Sequence, residues 1–276
     1  HGIQGAWRAV ARYDRGSPAS GASAHPTRRA CAVSLQPFWR YYGGKWRNAP
    51  HYPAPMFGTI VEPFAGAAGY ALRHYRRDVL LIDKNPIIAG LWRYLIDATP
   101  DDIRALPDIP DGGTVDDMDA PQAARWLAGF WCNEATTAPC KTASKWASRG
   151  EHIHKWGGWN ARSRERVASQ VAHIKHWRVL ECAYSNAPDV EATWFVDPPY
   201  QGRAGRHYPH QPDSFEALGA WCHSRRGQVI VCEQDGADWL PFERMKTFRS
   251  APGKDRPTDT LEVMWERGPG TQARLW

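Results

Sequence analysis

No stretch of the 276 residues has the roughly 20 consecutive apolar residues that a bilayer-spanning helix needs. The opening HGIQGAWRAV lacks the sustained apolar segment of a secretory leader. Cysteine is scarce: Cys31, Cys132, Cys140, Cys182, Cys222 and Cys232 are the only six, and none stands in C-x-x-C spacing. That scatter argues for free, mostly buried thiols in a reducing compartment and against a disulfide framework. Cys132, Cys140, His152 and His154 match the spacing of no common zinc site, so no metal is expected. Also missing is the G-x-G-x-x-G run of a dinucleotide-binding turn. What remains is a globular chain, 42% hydrophobic and 23% charged, long enough for one large α/β domain or one domain with an insertion. Tryptophan is abundant at 15 residues, and a net charge of +6 suggests a polyanionic partner.

Residues 1–34 are rich in Ala, Gly, Ser and Arg without periodicity, and read as a disordered or non-native arm. The segment FWRYYGGKWRNAP (38–50) is different. Gly43 and Gly44 let the backbone approach a ligand closely. Lys45 can pair with the carboxylate of an amino-acid-like cofactor, and Tyr41 can lie along its body; a glycine turn beside core aromatics explains the same residues. GTIVEPFAGAAGYALRHY (58–75) reads as a strand over 59–61, a turn of small residues, and a helix from about Ala67. Glu62 at the strand end puts a carboxylate where a pyrophosphate would otherwise lie, which favours a positively charged ligand. DVLLIDKNPIIAGLWRYL (78–95) is a buried strand ending in Asp83, then a proline-initiated helix. An acid closing the second strand of such a pair is placed for a ribose diol.

Between residues 101 and 119 lie seven aspartates and one arginine, which reads as a solvated linker or lid-like loop. The segment 141–178 is its opposite, with nine Lys or Arg and two Glu. The helix expected there places Val167, Val171 and Ile174 on one face and Arg162, Arg166 and Gln170 on another. Before it, HIHKWGGWN (152–160) is a glycine-centred loop flanked by Trp and His, suited to entering a groove. Lys155, Trp156, Arg162, Arg164 and Arg166 are the candidate phosphate-contacting residues here; a surface helix with inward tryptophans is the plainer alternative.

Strands follow over 178–184 and 193–196, a helix over 215–225, and strands over 227–233 and 260–267, giving a doubly wound, Rossmann-like α/β sheet. The second of these strands runs into TWFVDPPYQG (193–202). Pro198 and Pro199 have fixed φ and no N–H to give a neighbouring strand, so the strand must stop. A stiff loop then presents Asp197, the Pro198 carbonyl and Tyr200 at the edge where open α/β sheets bind ligands. Such a trio suits an exocyclic nucleobase amine, a poor nucleophile because its lone pair is delocalised. Two acceptors on its hydrogens, Asp197 Oδ and Pro198 O, favour the pyramidal form, while Tyr200 stacks on the base. A merely rigid turn would have the same four residues. The basic loop QGRAGRHYPHQ (201–211), with Arg203 and Arg206, is suited to close over a substrate on DNA.

In this order YYGGK, VEPFAGAAGY, LIDKNP, HWRVLECAY and WFVDPPYQG resemble the Dam-type DNA adenine methylases, from about Phe38 to the C-terminus. The resemblance implies a catalytic domain over 35–97 and 177–276, binding S-adenosylmethionine (SAM), with an inserted, mostly helical target-recognition domain over 98–176. It implies that Tyr41 and Lys45 contact SAM, that Phe64 and Gly66 form its binding loop, that Asp83 holds the ribose, and that residues 197–200 receive an adenine flipped out of duplex DNA. The family often carries an acid just after the strand over 178–184; here Ala183 stands there, and Tyr184 is the candidate replacement. A monomer in the cytoplasm of a bacterium or phage-infected host follows, with no membrane or metal. Two alternatives stand beside it: transfer to cytosine N4 or another amino or amide nitrogen, and a catalytically silent DNA-binding or anti-restriction protein. The adenine reading further requires that Asp83 and Asp197 share one cavity.

Overall fold

The computed structural model describes residues 35–133, 135–143, 158–245 and 261–268. Seven strands form one mixed sheet: β1 (Thr59–Glu62), β2 (Asp78–Asp83), β3 (Arg178–Glu181), β4 (Glu191–Val196), β5 (Arg226–Gln234), β6 (Glu243–Arg244) and β7 (Glu262–Arg267). Their order is β3-β2-β1-β4-β5-β7-β6. The first five pair in parallel, and β7 enters antiparallel between β5 and β6. Strands β2 and β4 are buried along almost their whole length. Covered on both faces, parallel strands need the near-continuous apolar runs VLLI and TWFV rather than alternation. Chain order reverses between β1 and β4, so the crevice at their carboxyl ends is the topological switch point.

The helices are α1 (Pro86–Asp97), α2 (Pro100–Arg104), α3 (Gln122–Trp131), α4 (Ala161–Val171) and α5 (Phe215–Ser224). Helix α1 starts as its sequence dictates. The Asn85 side chain accepts from the Ile87 N–H at 3.0 Å, and Pro86 occupies the position whose missing N–H costs nothing. Its buried face, including Ile88, Leu91, Trp92 and Leu95, joins a core continuous with α3 and α4 through Leu127, Phe130, Val167, Val171 and Ile174. The described part of 98–176 therefore rests on the same core as the sheet. Trp92 is central to it, 4.9 Å from Trp39 and 5.6 Å from Trp177 between ring centroids.

Three expectations are corrected. The helix expected from about Ala67 is a short 3₁₀ turn, Ala71–His74, preceded by Gly66 at φ +44° and Ala68 at φ +49°. Two left-handed residues so close together cannot sit in an α-helix. The acidic stretch 101–119 is anchored rather than a free linker: Ile103, Leu106, Val115 and Met118 are buried. Thr99 with Asp102 and Thr114 with Asp117 form reciprocal capping boxes that use part of its acidity. Strand β3 ends at Glu181, so Cys182 lies just beyond it. The five described cysteines are all free thiols. No described helix is long and apolar enough to cross a membrane. Residues 1–34, together with Lys155 and Trp156, lie outside the described residues.

Candidate active site

Four parallel strands and one reversed strand deliver acids to a single edge. Glu62 ends β1, Asp83 ends β2, Asp197 follows β4 and Glu233 stands next to last in β5. Strand β7 runs the other way, so its first residue, Glu262, arrives at the same edge opposite Gln234. Beside them opens a pocket. Tyr41, Gly43, Gly44, Lys45, Glu62, Phe64, Gly66, Asp83, Tyr184 and Asp197 all line it. Every residue expected to contact a cofactor is thus in one cavity, and Asp83 and Asp197 share it.

The post-β1 turn is shaped by its glycine. Gly66 sits at φ +44°, and a Cβ there would lie 3.0 Å from the Tyr41 ring. Its N–H donates to Asp83 Oδ2 at 3.0 Å, and the Asn85 N–H donates to Asp83 Oδ1 at 2.8 Å. Burial pushes the Asp83 carboxyl up to about 6, against the pull of those two N–H groups. Glu62 accepts from the Ala71 N–H at 2.6 Å, yet burial lifts its carboxyl to about 8. Phe64 and Tyr184 pair at 5.4 Å with planes 31° apart, forming an aromatic wall of the pocket just beyond β3.

Lys45 differs from expectation. Its side chain is 7% exposed, and its ammonium lies 2.8 Å from Asp197 Oδ1, 2.9 Å from the Gly43 carbonyl and 3.6 Å from Glu262 Oε1. A cation this buried needs carboxylate partners, and it takes them from the protein rather than waiting for a ligand. Burial alone would lower its pKa; Asp197 with Tyr200 and Glu262 reverses that and holds the ammonium charged. Burial in turn pushes Asp197 up to about 6 despite Lys45. The Tyr200 ring lies 4.8 Å beneath the Lys45 ammonium, and its hydroxyl donates to Glu262 Oε1 at 2.8 Å. Pro199 lines the cavity with Asp197, whereas Pro198 and Tyr200 do not.

Two participants escaped the sequence reading. Glu262 is one. Tyr208 is the other: it lines the pocket, and its hydroxyl donates to the Tyr42 carbonyl at 2.8 Å. It also explains Gly43, which has φ +71° and whose Cβ would meet the Tyr208 hydroxyl at 2.3 Å. The loop after β4 is therefore folded over the glycine turn.

The basic residues are more dispersed. Arg162 and Arg166 are exposed on α4, but Arg166 also lies 5.4 Å over the Trp131 ring. Arg164 is paired with Asp108, and its side chain is only 13% exposed. Gln170, expected on the polar face, is buried and accepts from the Gln36 N–H. Arg203 and Arg206 are exposed on the turn Arg203–His207 beside the pocket. Among the described residues no group of three or more His, Cys, Asp or Glu is arranged to hold a metal ion. Compared with protein-family models and with curated proteins, the sequence finds no match.

Proposed function

We propose that the chain is a SAM-dependent methyltransferase acting on the N6 amine of adenine in double-stranded DNA. The observation that carries this reading is the single pocket into which the Gly-Gly-Lys turn, the post-β1 loop, Asp83 and the Asp-Pro-Pro loop converge. Its chemistry fits the cofactor. Glu62, Asp83 and Asp197 face a space whose one buried cation is already paired, which favours a ligand bearing positive charge. Each Asp83 oxygen accepts one backbone N–H and keeps a lone pair for a ribose hydroxyl. The Phe64–Tyr184 wall offers a planar face for a purine. When bound, SAM supplies an electrophilic methyl group on a sulfonium.

The protein's own part is binding and orientation. Asp197 gives Oδ1 to Lys45, and Oδ2, bonded to no described residue, is the acceptor for one hydrogen of the amine. The Pro198 carbonyl takes the other. Holding the amine pyramidal and in line contributes by positioning, and fixed charge nearby stabilises the transition state. In this reading the Tyr200 ring stacks on the base once the base is extruded from the duplex. Arg162, Arg203 and Arg206 supply exposed positive charge for phosphates, and the segment 98–176 is the candidate for target recognition. The reading places the enzyme, as a monomer, in the cytoplasm of a bacterium or infected host.

Asp197→Ala should abolish transfer of labelled methyl from SAM to DNA while SAM binding stays measurable by calorimetry. Normal turnover in that variant would remove Asp197 from the chemistry.

A further inference from the structure

Glu262 has no role in the reading above, yet its carboxylate joins three parts of the site. Oε1 accepts from the Tyr200 hydroxyl at 2.8 Å and lies 3.6 Å from the Lys45 ammonium; Oε2 accepts from the Asn48 side chain at 2.7 Å. The side chain is 12% exposed. A carboxylate that accepts from two side chains and pairs with a third is held in one place, and it holds its donors in turn.

We infer that Glu262 is a positioning residue for methyl transfer: it anchors the Tyr200 ring and shares the Lys45 ammonium with Asp197. The inference rests on the methyltransferase reading for its catalytic consequence, but not for the charge coupling itself. Sharing matters because Lys45 lies closer to Asp197, at 2.8 Å, than to Glu262, at 3.6 Å. Were Lys45 given wholly to Asp197, that carboxylate would be neutralised by its partner and become a weaker acceptor for an amine. With Glu262 drawing on the same cation and repelling the Asp197 charge, Asp197 stays more basic and is the stronger acceptor. Anchoring matters because a tyrosine ring that is to stack on a base must not swing, and a hydroxyl bonded to a buried carboxylate cannot.

Several other titratable groups face Asp197 and would also respond to pH. Glu62 comes from β1, and Glu233 and Cys232 come from β5. Tyr41, Tyr52, Tyr200 and Tyr208 are the tyrosines among them. Tyr52, Tyr200 and Cys232 also interact with Glu262, so the variant is judged on the Asp197 signal itself.

The test uses the full chain with Glu262→Gln, which preserves shape and removes the charge, and Glu262→Ala as a second variant. Two measurements are made. The first follows the Asp197 carboxyl carbon by NMR in aspartate-labelled protein, with the signal assigned from Asp197→Asn. The midpoint should fall by about one pH unit in Glu262→Gln, as the ammonium becomes Asp197's alone. The second is methyl transfer to duplex DNA: kcat should fall about ten- to hundredfold, the loss expected for a hydrogen bond to a charged group, while KM for SAM stays within about twofold. An unchanged Asp197 midpoint overturns the sharing, and an unchanged kcat overturns the positioning role. A fall in kcat matched by a proportional rise in the KM for SAM would make Glu262 part of cofactor binding instead, which also overturns it. If wild-type protein transfers no methyl, the methyltransferase reading fails while the titration still decides the coupling.

Discussion

Replacing Lys45 by Met removes a buried cation between two carboxylates and leaves its volume nearly intact. Lys45 is 6% exposed, while the Asp197 and Glu262 side chains are 20% and 12% exposed. Breaking such a pair from one side leaves uncompensated buried charge, at a cost of about 3–5 kcal/mol. Against a total stability of about 5–15 kcal/mol that is a large fraction, and at roughly 2–4 °C per kcal/mol the melting point should fall on the order of 10 °C. The loss must depend on pH with a definite sign. Asp197 already stands at about 6 with Lys45 beside it, above the ordinary carboxylate value, and losing the cation pushes it higher. A carboxyl raised in the folded state burdens the fold increasingly as pH climbs from its unfolded value through its folded one. The deficit of Lys45→Met should therefore be smallest near pH 5, where Asp197 is protonated in both proteins and only the Glu262 contact is lost, and grow between pH 6 and 8. Denaturant unfolding followed by tryptophan fluorescence at pH 5, 6.5 and 8 measures it, and adding Asp197→Asn should restore most of the loss at pH 8. A deficit that is flat with pH, or smaller than about 1 kcal/mol at pH 8, would refute the coupling of Lys45 to Asp197.

Two other perturbations probe the cavity from opposite sides. Asp83→Asn turns one acceptor of a backbone N–H into a donor and removes the charge; SAM affinity measured by calorimetry should drop about tenfold or more. Wild-type affinity would free Asp83 from the ribose role. Gly43→Ala should drive the Tyr208 hydroxyl, 2.3 Å from the new Cβ, out of place and raise the KM for SAM. Tyr208→Phe in the same chain leaves only a 3.6 Å ring contact and should recover the steric part. Limited proteolysis within 201–211 gives an independent readout, and cleavage as slow as in wild type would show that Tyr208 does not hold this loop.

Most of the acidic edge of the pocket was legible in the sequence because it sits where strands end. A buried run closed by an acid locates Glu62, Asp83 and Asp197 without further information, and a proline directly after Glu62 and Asp197, and three residues after Asp83, marks the turn. Glu262 was hidden because β7 is antiparallel: in LEVMWER it reads as the start of a strand, and only strand direction brings it to the shared edge. Tyr208 was hidden because a loop residue's partner is set by how the loop folds back, which no local pattern encodes. Lys45 was found, but its pairing with Asp197 inside the protein was not foreseen, since sequence offers no measure of which carboxylate will be nearest. The arginines on α4 were read as a surface because charge periodicity shows a polar face; it does not show that Asp108 and Trp131 lie against that face.

Incubating the protein with methyl-labelled SAM and a duplex of mixed sequence, then hydrolysing the DNA to its bases, tests the central claim most directly. The label should appear in N6-methyladenine and vanish when Asp197 is alanine. Label in cytosine, or in no base at all, would contradict it.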